Sequence, residues 1–139
     1  MANRGCIVLL GDFSNERPDL ASIGRDFCWS VAQASDVTEL KEICSSCTVM
    51  AVMVQAAGLE MQWPGALGIV RAAAPLAKII LCHKAEDSHA RAEMIEAGAF
   101  AVLLSPLAHS EVRQSLGFVW ASARKPVLLP AAIPRAGVA

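Results

Sequence analysis

Five short β-rich runs recur along the chain, at Cys6–Leu10, Cys28–Ala34, Val49–Val54, Lys78–Cys82 and Ala101–Leu104, and four of them are continuous apolar blocks. An alternating strand can leave one face in water. A continuously apolar one must be covered on both faces, which is the signature of a buried parallel sheet. This requirement constrains the fold more than any other feature, because the segments between the runs must supply the covers.

Those segments have helical spacing. Val37, Leu40, Ile43, Cys44 and Cys47 fall on one stripe, opened by Ser35 or Asp36 as a cap, with Glu39 three residues after Asp36. Pro64 suits a first helical turn, Leu67, Val70 and Ala74 follow at helical intervals, and Pro75 closes that segment. Asp87 or Ser88 can cap a helix carrying Ala92, Met94 and Ile95, with Gly98 as its left-handed terminator. The last helix, about His109 to Ala123, places Val112, Leu116, Val119 and Ala123 on one face and leaves Phe118 well off that stripe. A first helix is expected within Arg17–Asp26, with Leu20, Ile23 and Phe27 as its stripe. Strands alternating with helices imply right-handed crossovers. The expected fold is therefore α/β: a flavodoxin-like (βα)5 three-layer sandwich, its five-stranded parallel sheet in the order 2-1-3-4-5.

At 139 residues with a net charge of −1, one domain is expected, at residues 5–124. The remainder, 125–139, has prolines at 126, 130 and 134, which neither a helix nor a central strand accepts. It reads as a Pro-rich linker or tail leading to an output domain. With 55% hydrophobic residues and a mean hydropathy of +0.45 the chain is too apolar for disorder. Gln55, Glu60, Arg71, Lys78 and His83 interrupt every run that might approach the roughly 18 apolar residues of a membrane span. A soluble, cytoplasmic protein without membrane contact is expected, since the start also lacks a signal-cleavage pattern. The five cysteines, an odd number, then read as free thiols. Nearly balanced charge without a basic run argues against direct nucleic-acid binding by this domain.

Residues 94–112, "MIEAGAFAVLLSPLAHSEV", read as helix, Gly-Ala turn, apolar strand, Ser-Pro step and helix. This stretch, with the pattern over about residues 5–124, resembles the receiver domain of two-component response regulators, the CheY-like fold of phosphorelay signal transduction. The resemblance implies a pocket at the carboxyl ends of the strands, with a Mg²⁺-binding acidic pair, a phosphoacceptor Asp, a Thr or Ser, and a Lys. Here the acidic pair falls on Gly11 and Asp12, the acceptor on Gln55, the Thr or Ser on Cys82 (or His83 with a one-residue shift), and the Lys on Ser105. The aromatic switch position falls on Val102. The family's Lys-Pro peptide is typically cis, which implies a cis bond before Pro106.

A Gln amide is a poor nucleophile, and one carboxylate is a weak site for a hard cation that wants several oxygens. Losing the lysine also removes the cation that would pair with acceptor and phosphoryl oxygens. The chain thus reads as a degenerate pseudo-receiver with no catalytic residue, metal or cofactor. Asp12 is expected to serve a local turn, and Glu60 to point to solvent rather than substitute as an acid.

Other residues have sharp and plain readings. Cys44 and Cys47 form a CxxC that could be a redox pair or half a zinc site; two ordinary thiols packed under a helix is the plainer reading. His83-Lys84 could meet an anion or a partner, but a solvated loop is simpler, and His89 and His109 read as surface residues. Trp29 and Trp63 are expected in the core or at its edge, whereas Phe118 and Trp120 form the candidate contact surface. The expected function is a non-catalytic signalling module acting through protein contacts, by homodimerisation or control of an attached output domain such as a transcription regulator. A thiol-redox or small-molecule sensor on the same fold is the alternative. A flavodoxin-like enzyme is disfavoured because "GDFSNERPD" offers one Gly and no Ser/Thr-rich phosphate cradle.

Overall fold

In the computed structural model, which describes residues 5–14, 19–55, 63–84 and 88–124, the apolar runs become five strands. These are β1 (Gly5–Leu10), β2 (Ser30–Ala34), β3 (Thr48–Gln55), β4 (Lys78–Lys84) and β5 (Ala101–Ser105). Every pairing is parallel and the order is β2-β1-β3-β4-β5, as the pattern required.

Alternation along the strands splits the interior in two. Cys6, Val8 and Leu10 of β1, with Val52, Val54, Ile79 and Leu81, face α2 (Val37–Ser46), α3 (Trp63–Ala73) and α4 (Ser88–Glu96). Ile7, Leu9, Ala51, Met53, Ile80 and Cys82 face α1 (Leu20–Asp26) and α5 (His109–Arg124). All six residues of β1 are buried, which fits a strand with partners on both edges and helices on both faces. The tail, residues 125–139, lies outside the described residues, as does Asp87.

The helix starts are set by side chains. Asp19 accepts from the Ser22 amide at 3.2 Å and opens α1. Asp36 accepts from the Glu39 amide at 2.9 Å, while the Glu39 carboxylate accepts from the Ser35 amide at 2.6 Å. This reciprocal arrangement satisfies one amide of the first turn of α2 and the amide just before its cap. Gly98, at φ +119°, ends the turn after α4; its missing Cβ leaves room for the Arg71 guanidinium, which donates to the Gly98 carbonyl at 2.6 Å.

Three sequence expectations need correction. β2 begins at Ser30 rather than Cys28, because Cys28 takes a left-handed φ of +63° and the amides of Phe27, Cys28 and Trp29 bond back to Gly24 and Arg25. Cys47 is not part of the α2 stripe: it is an exposed, extended C-cap. In α4 only Met94 is buried among the three residues expected on its stripe; Ile95 is 45% exposed. Of the tryptophans, Trp29 is buried and stacks on Phe27 with ring centroids 5.3 Å apart. The side chain of Trp63 lies outside the described residues.

Cys6 is among the core residues, with Cys44 packed against its cluster. Burial, and then the neighbouring thiols of Cys47 and Cys44, push the Cys6 thiol from 9.0 up to about 12.

Two consequences are measurable. Met94→Ala removes the buried anchor of α4 and should cost about 2–5 kcal/mol in denaturant unfolding, whereas Ile95→Ala should stay within about 0.5 kcal/mol of the parent. Between pH 9.0 and about 12 the unfolded chain loses a proton that folded Cys6 retains. Stability from this source is therefore complete below pH 9.0 and declines as pH rises toward about 12, and urea titrations should show Cys6→Ala to have a shallower decline than the parent.

Candidate functional site

Open parallel sheets place ligand chemistry at the carboxyl ends of their strands. Here that edge brings together Gly11 and Asp12 after β1, Gln55 ending β3, and Cys82 within β4. Gln55 lies opposite Cys82, and Cys82 opposite Leu103, whereas Ser105 lies further along β5, opposite Lys84.

Gly11 is the tightest point. Its φ is +112°, and a Cβ built on it would stand 2.9 Å from the Gln55 Cβ and 3.5 Å from the Gln55 backbone nitrogen. An L side chain at Gly11 is thus strained by its backbone and blocked by the stem of Gln55. The turn is fixed from the other side as well. The Gly11 amide donates to the Ala34 carbonyl at 3.2 Å, and the Gln33 amide nitrogen donates to the carbonyls of Gly11 at 2.6 Å and Leu9 at 3.1 Å.

Asp12 is exposed and turned onto its own loop, where it accepts from the Ser14 hydroxyl at 2.6 Å and the Ser14 amide at 2.9 Å. These bonds, the hydroxyl foremost, hold its carboxyl below the usual range. It is the local turn former the sequence suggested. Among the described residues no three His, Cys, Asp or Glu side chains converge in a way that could hold a metal ion. A single carboxylate committed to Ser14 does not fit the oxygen-rich shell that Mg²⁺ requires.

The other positions are apolar or placed elsewhere. Cys82 is fully buried with Ile80, Leu103 and Leu107 on the α1/α5 side and presents no hydroxyl to the rim. Val102 is 2% exposed and packs on the opposite side, in the core beneath α2–α4. Pro106 is exposed immediately after β5. His83 and Lys84 are not a loop: β4 continues through both, because Leu104 and Ser105 extend the ladder opposite them. The His83 Nε2 is buried without a hydrogen-bond partner among the described residues. His109 is exposed at the start of α5; Glu60 and the side chain of His89 lie outside the described residues.

The thiols gather at the opposite, amino-terminal end of the sheet. Cys44 is half-buried in the last turn of α2 and Cys47 is exposed just beyond it, so Cys47 is not packed under the helix as the plainer reading had it. Cys6, buried at the start of β1, lies near both, and its thiol is raised by burial first and then by Cys47 and Cys44. Sequence reasoning missed Cys6, which is distant in the chain, and also Gln33, which lies on the half-exposed edge strand β2. On α5, Phe118 is 58% and Trp120 40% exposed, as their offset from the apolar stripe predicted.

No protein-family model matches this sequence, and no curated protein does. Solved structures do resemble the fold. A response regulator receiver domain protein from Clostridium thermocellum is similar at a TM-score of 0.68 and 18% identity, covering 91% of this chain and 99% of that one. The signal receiver domain of an HD domain-containing protein from Pseudomonas fluorescens Pf-5 is similar at a TM-score of 0.65 and 20% identity, covering 86% and 96%. A protein assigned to pilus assembly from Burkholderia thailandensis E264 is similar at a TM-score of 0.63 and 17% identity, covering 85% and 98%. At such identities the likeness is one of architecture, and the chain has the five-stranded, doubly covered fold that these receiver domains share.

Proposed function

We propose that this chain is a signal-transduction module of the receiver type that works without aspartyl phosphorylation, as a pseudo-receiver. The receiver likeness of the fold supports the class. The observation that carries the phosphate-independent reading is the contact between Gly11 and Gln55, where a Cβ would approach the Gln55 Cβ to 2.9 Å. In a working receiver pocket, carboxylates at these places share a cation and one of them attacks a phosphoryl group. Here the acceptor position carries a neutral amide, and the neighbouring position cannot take a side chain without moving it. The changes support one another: with no acceptor charge there is nothing for the absent lysine to pair with, and Ser105 at that position adds no charge.

Signalling would then pass through contacts. The exposed Phe118 and Trp120 lie on α5, and large aromatics on a polar helix face are the residue types that concentrate binding energy. The reading assigns them to a homodimer contact or to an output domain of the full-length protein, two arrangements that differ in stoichiometry.

Two measurements test this. Isotope-labelled protein exposed to Mg²⁺ with beryllofluoride or acetyl phosphate should show no site-specific amide shifts at Asp12 or Gln55 and no stable phosphoprotein; either signal would overturn the reading. Gln55→Asp alone should remain unphosphorylated, and Gly11→Asp should destabilise the fold by about 1–3 kcal/mol through the left-handed backbone and the lost space.

A further inference from the structure

A cavity of about 270 Å³ lies between the turns that lead into β4 and β5, at the amino-terminal end of the sheet. Its walls are largely apolar: Pro75 and Ala77 before β4, the buried Ile79 within it, and Phe100 before β5. Two cations also line it, Arg71 from the last turn of α3 and Lys78 from the first position of β4. Among the described residues no acid lines this cavity, and neither cation forms an ion pair. Both cations are held in place. The Arg71 Nη2 donates to the Gly98 carbonyl at 2.6 Å, in the room left by the missing Cβ of that glycine. The Lys78 ammonium stands 5.6 Å from the centroid of the Phe100 ring, a cation–π contact. Side chains already restrained lose less freedom when a ligand arrives.

We infer that this cavity binds a phosphate group, free or as the monoester of a small organic molecule. Arg71 keeps N–H groups beyond the one on Gly98, and a guanidinium with an ammonium matches the several oxygens of a phosphate better than the two of a carboxylate. The apolar walls suit the organic part of an ester. One effect opposes an anion here, because α3 and α4 both end beside the cavity and a helix carboxyl end carries about half a negative charge. Several of those carbonyls are already taken up: Val70 accepts from the Ala74 amide at 2.9 Å, Ile95 from Gly98 at 3.0 Å and Met94 from Ala99 at 3.1 Å. Two full positive charges outweigh what remains. The exposed Glu93 and Glu96 of α4 pair with neither cation. The cavity lies at the other end of the strands from Gly11 and Gln55, so failure of this inference would leave the pseudo-receiver reading untouched.

The test titrates the isotope-labelled full chain with inorganic phosphate and, separately, with phenyl phosphate, using potassium chloride at matched ionic strength as the reference. Saturable amide shifts at Ala77, Lys78, Gly98 and Phe100 are expected with both phosphates and not with chloride. Tighter binding of phenyl phosphate would identify an organic ester as the source of the group, and equal affinity would identify free phosphate. Lys78→Gln, a change at an exposed position that leaves the fold intact, should weaken binding of either by about tenfold. Arg71→Lys should weaken it as well, because an ammonium lacks the planar fork that reaches the Gly98 carbonyl and the anion together. Shifts no different from those in chloride, or an affinity unchanged in Lys78→Gln, would overturn the inference.

Discussion

The fold depends on a sheet whose central strands must be apolar on both faces. β1 is buried along its whole length, and Val52, Met53, Val54, Ile80, Leu81 and Cys82 continue the dry interior through β3 and β4. Burying an unpaired polar group in such a layer costs several kcal/mol, so polar chemistry is confined to where the strands stop. The consequence is a molecule with two chemically distinct ends. Gly11, Asp12 and Gln55 stand at the carboxyl end, and Cys6, Cys44 and Cys47 at the amino end.

At the carboxyl end, the described side chains are engaged in local hydrogen bonds and close packing. The Gln33 amide occupies carbonyls of Leu9 and Gly11, the Asp12 carboxylate is taken up by Ser14, and the Gln55 stem fills the space beside Gly11. A pocket holding several carboxylates needs a cation to offset their repulsion. Among the described residues the Asp12 carboxylate here is exposed and locally satisfied by Ser14. The residues that the proposed function reads as a lost phosphorylation site therefore form a strand end held by its own hydrogen bonds.

Much of this was legible in the sequence because it follows from period and side-chain size. Continuous apolar blocks implied the parallel sheet, Asp36 with Glu39 marked the start of α2, Gly98 marked the end of α4, and the offset of Phe118 foretold its exposure. The errors share a physical origin. Cys28 looks like strand, but a left-handed backbone there is set by hydrogen bonds back to Gly24 and Arg25, which residue type does not report. Ile95 has helical spacing, yet among the described side chains of α4 Met94 is buried and its neighbour Ile95 is left in solvent. At the site, Gly11 could be read as a missing acid, but not as a position closed by Gln55, because that distance belongs to two strands paired in space. Cys6 escaped for the same reason: its proximity to Cys47 is created by the β1–β3 register.

The two ends share β1, and the way that strand is held decides how far an event at one can reach the other. The β1–β3 ladder shifts register between Cys6 and Ile7, so Cys6 pairs before the irregularity and Ile7 to Leu10 pair after it. A bulge concentrates bending and twist locally. Beyond it, β1 is clamped in continuous register by β2 on one edge and β3 on the other, with both faces covered. Close-packed interiors of this kind resist small displacements. A perturbation at Cys6 would consequently be absorbed at the bulge and felt at the β1, α2 and β3 junction, while the Gly11–Gln55 contact kept its shape.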